Sequence, residues 1–275
     1  MESSFDKIRR NNCTLFFNKP FRNSKLEEAL SGGESTLQEH YDLTDVFSSD
    51  ASRVHKFIAN FNGVERGIYF KQYLFRSTWD FIKHLFRSSR ARRAFEATLM
   101  LQKHGFESPA VVAMGEFKSG FNRENFLLTL EAKDTKPIYQ FLPKSLENLD
   151  KEQLQSKREL IRAFGRTVGR MHAKGIFHGD LKMVNVLAQQ EEGIWRFFFI
   201  DNERTKKFSR LPSCLRLKNL VQLNMAMDGI SRTDRMRFFK SYLQENPLIV
   251  NKKGDWAKNV NKKTNYRLKK QKNHV

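Results

Sequence analysis

The stretch GIFHGDLKMVNVL, residues 175–187, places a His, an Asp, a Lys and an Asn within eight positions between two apolar runs. The preceding residues 150–175 carry apolar side chains at helical intervals, begin with an Asp suited to an N-cap and end in Gly. The following segments NVLA, EEG and IWRFFFID are typical of two short strands joined by a turn. The polar side chains are therefore predicted to lie in a loop between a helix and a β-hairpin.

Five side chains along the chain have the types, order and spacing of a protein-kinase active site. Such a site pairs a strand Lys with a helix Glu, and has a loop Asp, an Asn five residues later and a second Asp ending the next hairpin strand. The corresponding residues here are Lys71, Glu96, Asp180, Asn185 and Asp201. Each one alone has an ordinary explanation, such as a surface ion pair or a turn, but the ordered set favours a kinase.

The residue types indicate a role for each member of this set. Asp180 would accept or orient the proton of an acceptor hydroxyl. Asn185 and Asp201 offer hard oxygen ligands suited to Mg²⁺. Lys71 would neutralise the α- and β-phosphates of ATP, with Glu96 holding its ammonium group in place. The expected cofactors are therefore ATP and Mg²⁺.

Two neighbours of Asp180 receive further roles. Lys182 follows the predicted base by two residues and would offset charge on the transferring phosphoryl group. His178 is expected to hold the loop in place, and we assign it no part in the chemistry.

The sequence departs from the protein-kinase pattern in two places. FSSDASR, residues 47–53, stands where a Gly-rich phosphate-covering loop is expected, although its small residues could still present backbone N–H groups. Asp201 begins DNER where protein kinases have Asp-Phe-Gly, and only fourteen residues separate it from Arg216. That distance is too short for a regulated activation segment and a peptide-docking platform, so we expect a small or lipid-linked acceptor.

The distribution of strand and helix patterns predicts an α+β fold with two lobes. Residues 39–131 contain strand-like runs, an Asn-Gly turn signal and a helix at residues 90–103, which predicts an N-lobe with a small antiparallel sheet. Residues 132–250 predict a mainly helical C-lobe. Residues 1–38 are expected to form a loosely held, flexible extension. Residues 251–275, with nine Lys or Arg against one acidic residue, are expected to form a flexible basic tail.

Five segments together resemble the lipopolysaccharide kinase family, which includes the heptose and Kdo kinases of the inner core. They are SRARRAFEATLMLQKHGFESPAVVA, HGDLKMVNVL, FFFIDNERTKKF, RLKNLVQLN and SRTDRMRFFKSYL. The resemblance runs from about Asp45 to Leu243. It implies a two-lobed, protein-kinase-like fold and ATP-dependent phosphorylation of a core sugar hydroxyl at the cytoplasmic face of the bacterial inner membrane. The ordered set of five residues matches the family's nucleotide and catalytic positions, whereas the identity of the sugar does not carry over.

The net charge of +20 indicates a polyanionic partner. A lipopolysaccharide core or related glycolipid acceptor, held in an anionic inner-membrane surface, would supply it, so we expect peripheral attachment to that membrane. Residues 77–93, STWDFIKHLFRSSRARR, form a candidate interfacial helix, although their aromatic side chains would equally pack on the N-lobe. No apolar run is long enough to span a bilayer and no secretory signal is evident, so a cytoplasmic location is expected.

Three alternatives remain open at this point. HGDL with a following Asn is shared with other small-molecule phosphotransferases, such as those for aminoglycosides and choline. A nucleic-acid-binding protein would use the +20 charge and the 25 phenylalanines, but it leaves the ordered set unexplained, so no nucleic-acid partner is expected. A catalytically inactive kinase-like scaffold is disfavoured, because all five key positions carry the expected residue types.

Overall fold

The computed structural model describes residues 4–10, 12–74, 88–117, 124–143, 149–226 and 229–272. The chain divides into two units. The first comprises Met1–Leu99 and Pro109–Lys133, and the second comprises Met100–Ser108 and Asp134–Val275. The first unit is built on an antiparallel sheet and the second is mainly helical. The predicted α+β fold class is therefore confirmed.

Among the described residues of the first unit, seven strands form one antiparallel sheet. They are β1 Phe5–Arg10, β2 Cys13–Asn18, β3 Thr44–Val46, β4 Ser52–Phe61, β5 Val64–Tyr73, β6 Val111–Phe117 and β7 Asn125–Leu130. Their order across the sheet is β1-β2-β6-β7-β5-β4-β3. Asn62 and Gly63, with φ of 52° and 84°, join β4 to β5. The Asn-Gly signal thus marks a tight hairpin turn, as predicted.

The N-terminal residues belong to this sheet, so the prediction of a loosely held extension over residues 1–38 is wrong. β2 pairs with β6 and turns alternate residues inward, which buries Leu15 and Phe17 almost completely. Two short helices follow, α1 Ser24–Ser31 and α2 Glu34–His40. These strands and helices are only six to eight residues long. Elements this short show too few periods to stand out in the sequence, and the sheet supplies the stability that they lack alone.

The helices that follow β5 in the chain are longer than α1 and α2. They are α3 Arg90–Lys103, which passes from the first unit into the second, α4 Lys151–Ala173, α5 Ser213–Asn224, α6 Arg232–Gln244 and α7 Lys253–Lys272. The second unit also has short strands, which are β8 Lys136–Pro137, β9 Ile176–Phe177, β10 Val186–Glu191, β11 Ile194–Phe199 and β12 Lys206–Lys207. They form sheets of order β11-β10-β8 and β12-β9. The core packs α4 against α6 and the β10–β11 hairpin.

The long helix α4 is fixed at both ends. At its start the Asp150 carboxylate accepts a hydrogen bond from Gln153 N (2.8 Å), and the Gln153 side chain accepts one from Asp150 N, which completes a capping box. Beyond its end, Gly175 has a φ of 76°, and a Cβ there would lie 2.1 Å from Phe208 O. The capping Asp and the terminating Gly predicted from the sequence therefore set where the following loop begins.

The C-terminal segment is helical, which corrects the prediction of a flexible basic tail over residues 251–275. Within α7, Trp256 and Val260 pack on the core of the second unit, and Thr264 is 3% exposed. Thr264 Oγ1 accepts a hydrogen bond from Asn224 Nδ2 (3.0 Å) on α5. These three residues recur every four positions, so they form one narrow row on the helix. The many lysines around them make the segment as a whole strongly polar, so its composition does not indicate a packed helix.

The candidate interfacial helix, residues 77–93, falls mostly outside the described residues, since residues 75–87 are not among them. Its last residues begin α3. Arg90 is buried and its Nη1 donates to Ala51 O (2.8 Å) and Leu74 O (3.2 Å), while Arg92 pairs with Glu116 (2.7 Å). These two arginines therefore stabilise the first unit, and they are not available as contacts to a membrane.

Candidate active site

Asp180 and Asn185 are brought together by the loop that follows α4. The Asn185 side chain donates from Nδ2 to Asp180 O (2.9 Å) and to Asp180 Oδ2 (3.1 Å). Backbone bonds from Lys182 N to Asp180 O and from Asn185 N to Lys182 O, at 2.9 and 3.0 Å, close the turn between them. The five-residue spacing thus corresponds to one compact turn that holds both side chains.

The Asp180 carboxylate receives donors on both oxygens. Lys182 Nζ lies 3.1 Å from Oδ2, and Gln222 Nε2 on α5 donates to Oδ1 (3.1 Å). The Asp180 side chain is 27% exposed and the Lys182 side chain 58% exposed. A carboxylate that can accept a proton from a hydroxyl must also be held in a fixed direction, and these contacts supply that orientation. Asp180 is therefore oriented by its neighbours while part of it stays open to solvent.

His178 connects the Asp180 loop to the segment after Asp201. It is fully buried, its Nδ1 accepts a hydrogen bond from Asp180 N (3.3 Å), and its Nε2 lies 3.1 Å from Asn202 Oδ1. The donation to Nδ1 places the ring proton on Nε2, which then donates to Asn202. Burial lowers the pKa of His178 below 6.5, although the nearby Asp201 charge opposes this shift. The ring is accordingly neutral and positions the loop.

Gly179, between these two residues, has no room for a side chain. A Cβ there would lie 2.0 Å from Arg204 Cβ and 2.7 Å from the Arg204 backbone carbon. The loop therefore lies directly against the residues that follow Asp201, and the Gly of HGD is required by this close approach.

Asp201 follows β11 in the left-handed conformation, with φ 59° and ψ 47°. A non-glycine residue in this region is strained, and such residues concentrate at functional sites. Ile200 N donates to Asn185 O (3.1 Å), so the chain segments that carry Asp201 and Asn185 are adjacent. Asn202 replaces the Phe of protein kinases and is buried; it donates to Phe199 O (3.2 Å) and braces His178. These hydrogen bonds explain why Asn stands at the second position of DNER.

The donor set of Asn185 and Asp201 suits Mg²⁺. Since Nδ2 of Asn185 is committed to Asp180, its Oδ1 is the atom left to coordinate a cation, and Asp201 adds a carboxylate. Mg²⁺ is commonly held by one or two such protein oxygens and completed by phosphate oxygens and water. The described residues contain no cluster of three His, Cys, Asp or Glu that would hold a metal without nucleotide.

Lys71 and Glu96 lie in the first unit. Lys71 is half-buried on β5, paired in register with Val54 and Leu127, and its Nζ lies 5.3 Å from the centroid of the Tyr73 ring. Glu96 is on the exposed side of α3. Over the described residues, no hydrogen bond or ion pair joins Lys71 to Glu96, so their pairing stays a prediction. The FSSDASR segment forms the turn between β3 and β4, closed by Ser52 N donating to Ser49 O (2.9 Å).

Comparison with known proteins agrees with this arrangement. Residues 45–242 match the model of the lipopolysaccharide kinase (Kdo/WaaP) family. The chain belongs to the lipopolysaccharide kinase family. The lipopolysaccharide core heptose(I) kinase WaaP of Pseudomonas aeruginosa is 30% identical over 161 residues, which are 56% of this chain and 59% of that protein. A solved structure, WaaP in complex with acyl carrier protein, matches with a TM-score of 0.62 and 22% identity, and covers 92% of this chain and 98% of that one.

Family membership confirms the resemblance predicted from the sequence, and the structural match shows the shared fold. All six predicted site residues lie inside the matched range, residues 45–242. Their individual roles stay predictions. The chain spans 59% of the length of the curated WaaP relative, so activity and substrate are taken up below as proposals.

Two side chains on α5 that support the candidate site were not predicted from the sequence. Asn219 is fully buried and donates from Nδ2 to His178 O (2.6 Å) and to Gln222 Oε1 (3.0 Å). The second bond turns Gln222 so that its Nε2 faces Asp180. The available signal was two amides three residues apart in RLKNLVQLN, which places them on one side of a helix whose other residues are largely apolar.

Proposed function

We propose that this protein is an ATP-dependent kinase that phosphorylates a sugar hydroxyl of the lipopolysaccharide inner core. The carboxylate of Asp180, held by Asn185, Lys182 and Gln222 and partly open to solvent, is the observation that carries the proposal. Family membership supports the reaction class. Because the curated relative is a heptose(I) kinase, a heptose is the first candidate acceptor and Kdo the second.

Each residue of the candidate site would have its own role in phosphoryl transfer. Asp180 orients the acceptor hydroxyl and accepts its proton as the oxygen attacks the γ-phosphorus. Lys182, whose side chain is 58% exposed beside Asp180, offsets the charge that develops on the transferring phosphoryl group. Asn185 and Asp201 would hold Mg²⁺, which supplies positive charge against the phosphate oxygens. Lys71 is proposed for the α- and β-phosphates, with Glu96 as its partner.

A small or lipid-linked acceptor is favoured over a protein. From Asp201 the chain passes through β12, which pairs with β9, and reaches α5 at Ser213. This short connection is occupied by pairing within the second unit, so it offers little chain for a peptide-docking segment.

The proposal is tested with purified protein, radiolabelled ATP and lipopolysaccharide that lacks inner-core phosphate. Asp180→Asn is expected to lower phosphoryl transfer by about 10²-fold or more, since a positioned base contributes about that much. Asp255→Asn, an equivalent change at an exposed carboxylate on α7, is the matched control and should retain the wild-type rate. Mass spectrometry of the product then assigns the phosphate to heptose or Kdo. Equal rates for wild type and Asp180→Asn would refute the proposal.

We also place the enzyme at the cytoplasmic face of the inner membrane as a peripheral protein. No helix formed by the described residues has the length and apolar composition to cross a bilayer. The acceptor is a membrane lipid, and the net charge of +20 favours attraction to an anionic surface. Cell fractionation with a high-salt wash measures this, because a peripheral electrostatic attachment is released by salt.

We propose an acyl carrier protein as a second partner. The matched WaaP structure is a complex with an acyl carrier protein, and a cavity in the second unit of this chain supports the proposal. The second unit has a partly open cavity of about 720 Å³, and polar residues such as Asn224, Arg235 and Asn261 form part of its lining. Its apolar lining includes Leu142, Leu160, Phe164, Leu223, Phe239 and Leu268. Its apolar side chains favour an apolar ligand, and this volume lies within the range of small-molecule sites. We infer that it can take the acyl chain of a carrier protein.

This partnership predicts that an acylated carrier protein, but not its unacylated form, raises the melting temperature of the kinase. Leu223→Trp, which fills the cavity from a residue only 9% exposed, should abolish the increase. Leu248→Trp, at a residue that is 82% exposed, is the control. An increase that is equal with and without the acyl chain would contradict the role of the cavity.

A further inference from the structure

The orientation of α7 is fixed by the residues on its inner side. Trp256, Val260, Thr264 and Leu268 recur every four positions and are half-buried or buried. Thr264 Oγ1 accepts from Asn224 Nδ2 of α5 and donates to Val260 O (2.8 Å). A helix held along this row by packing and a hydrogen bond cannot rotate freely, so the residues on its opposite side are presented to solvent in a defined way.

The outer side of α7 is a row of lysines. Lys258, Lys262 and Lys269 are exposed and, at 100° per residue, lie within a sector of about 40° opposite Thr264. Lys263 and Lys270 are also exposed and lie about 80–100° further around the helix, both on the same side of this sector. We call these five residues the lysine face. It extends over roughly 18 Å along the helix at about 1.5 Å per residue.

Little in the described structure neutralises the lysine face. Between residues 251 and 272 the chain has one acidic residue, Asp255. No ion pair to a lysine of this face occurs among the described residues. Tyr266, 69% exposed, lies among the lysines. An amphipathic aromatic ring within a basic face is typical of helices that lie at a bilayer surface, where the ring enters the headgroup region.

We propose that the lysine face, with Tyr266, is the surface by which this protein docks on a bilayer containing anionic phospholipids. The inference rests on the proposed function, which requires the enzyme to reach an acceptor embedded in a membrane. Charge complementarity is the physical basis, since each Lys near an anionic surface adds to the attraction and the additions multiply in the binding constant. Docking through α7 would hold the second unit, which carries Asp180, at the membrane on which the acceptor lies.

Vesicle sedimentation tests the docking surface directly, with full-length protein and vesicles of phosphatidylcholine with or without phosphatidylglycerol. Wild type should bind only the anionic vesicles and be released by high salt. The triple variant Lys258→Gln, Lys262→Gln, Lys269→Gln should bind them about a hundredfold more weakly. The matched control Lys25→Gln, Lys103→Gln, Lys133→Gln removes the same charge from exposed sites on other elements and should bind within about threefold of wild type.

Two outcomes would overturn the proposal. One is that the α7 triple variant binds anionic vesicles as tightly as the matched control does. The other is that both triple variants bind vesicles normally while only the α7 variant loses binding to an acidic carrier protein or to RNA, which would assign the face to that partner. An unchanged melting temperature shows that the substitutions leave the fold intact, as expected for exposed side chains.

A kinetic comparison separates this proposal from the proposed function. With a soluble, delipidated core oligosaccharide as acceptor, the α7 triple variant should transfer phosphate at the wild-type rate. With the same acceptor carried by lipopolysaccharide in anionic vesicles, its rate should fall in parallel with its binding. If wild type fails to phosphorylate either acceptor, the proposed function fails, whereas the vesicle-binding result still decides whether the lysine face docks on membranes.

Discussion

Acidification from pH 7 to pH 5 is expected to destabilise the second unit by about 2 kcal/mol through one buried imidazole. His172, on α4, is 1% exposed, with Nδ1 at 2.9 Å from the Tyr242 hydroxyl and Nε2 at 3.1 Å from Asn219 Oδ1. Arg216 Nη1 donates to the same hydroxyl. Because the Tyr242 oxygen accepts from Arg216, the Tyr242 hydroxyl directs its own proton at Nδ1 of His172. A second proton on the imidazole would sit on Nδ1 and point at this hydroxyl donor.

The direction of the pH dependence follows from the pKa of His172 in the folded and unfolded states. Burial, and then the Arg216 charge, lower the pKa of His172 from 6.5 to about 3 in the folded protein. Between these values the unfolded chain binds one more proton than the folded chain, so stability falls as the pH decreases, by about 1.4 kcal/mol per pH unit. The stabilisation is complete above pH 6.5 and is lost progressively toward pH 3. At pH 5 the folded imidazole is still neutral, so the loss is about 2 kcal/mol.

Urea denaturation at pH 7 and pH 5 measures this loss, and tryptophan fluorescence reports on the second unit through Trp195 and Trp256. His172→Gln should be less stable than wild type at pH 7, because its buried partners lose their bonds, but its stability should change less between the two pH values by about 2 kcal/mol. His104→Gln, at a half-exposed histidine, should retain the wild-type pH dependence. If His172→Gln loses as much stability on acidification as wild type does, the reasoning is refuted.

Three further predictions concern other contacts. Gln222→Leu should lower the turnover number by about tenfold or more with little change in the Michaelis constant for ATP, because it removes a donor from the Asp180 carboxylate; an unchanged rate would show that Gln222 is only structural. Asp234→Asn should lower the free energy of unfolding by about 3–5 kcal/mol, because it leaves Lys157, which is buried against it at 2.7 Å, without a counter-charge; a melting temperature equal to wild type would contradict this. Phe17→Ala should destabilise the first unit by about 3–5 kcal/mol, and a loss below about 1 kcal/mol would mean that β2 is dispensable.

The sequence predicts an element well where one local signal is strong. The Asn62-Gly63 pair fixes the β4–β5 hairpin because both residues must take positive φ. The Asp150 cap and Gly175 likewise mark the ends of α4, since each acts through its own backbone neighbours. β2 and α7 lack such signals. Their stability comes from contacts with distant residues, such as the pairing of β2 with β6 and the hydrogen bond that Asn224 on α5 donates to Thr264, and no local pattern carries that information.

The same distinction applies to the candidate site. Asp180 and Asn185 belong to one turn, so their spacing alone predicts that the two side chains meet. Gln222 contacts Asp180 from a position 42 residues away. That contact depends on how α5 packs against the loop, which is a tertiary property, and the amides of α5 could equally have been solvated. Sequence reasoning could therefore name candidate reacting groups but could not name the groups that orient them.

The hydrogen bonds of this supporting network all run in one direction, from the core of the second unit to the Asp180 carboxylate. The hydrogen bonds pass from Arg216 to Tyr242, His172, Asn219, Gln222 and finally Asp180. Each amide accepts a hydrogen bond at its oxygen from the residue before it, which favours the orientation that points its NH₂ group toward the next residue. A second proton on His172 would make Nδ1 a donor, so the Tyr242 hydroxyl could no longer donate to it. The first hydrogen bonds of this series would then be weakened. Because the folded imidazole stays neutral until the pH approaches about 3, the orientation of Asp180 should persist at pH 5 even though the second unit is less stable there. Turnover of the folded protein should therefore show the same pH dependence between pH 7 and pH 5 in Gln222→Leu, where the link is already broken, as in wild type.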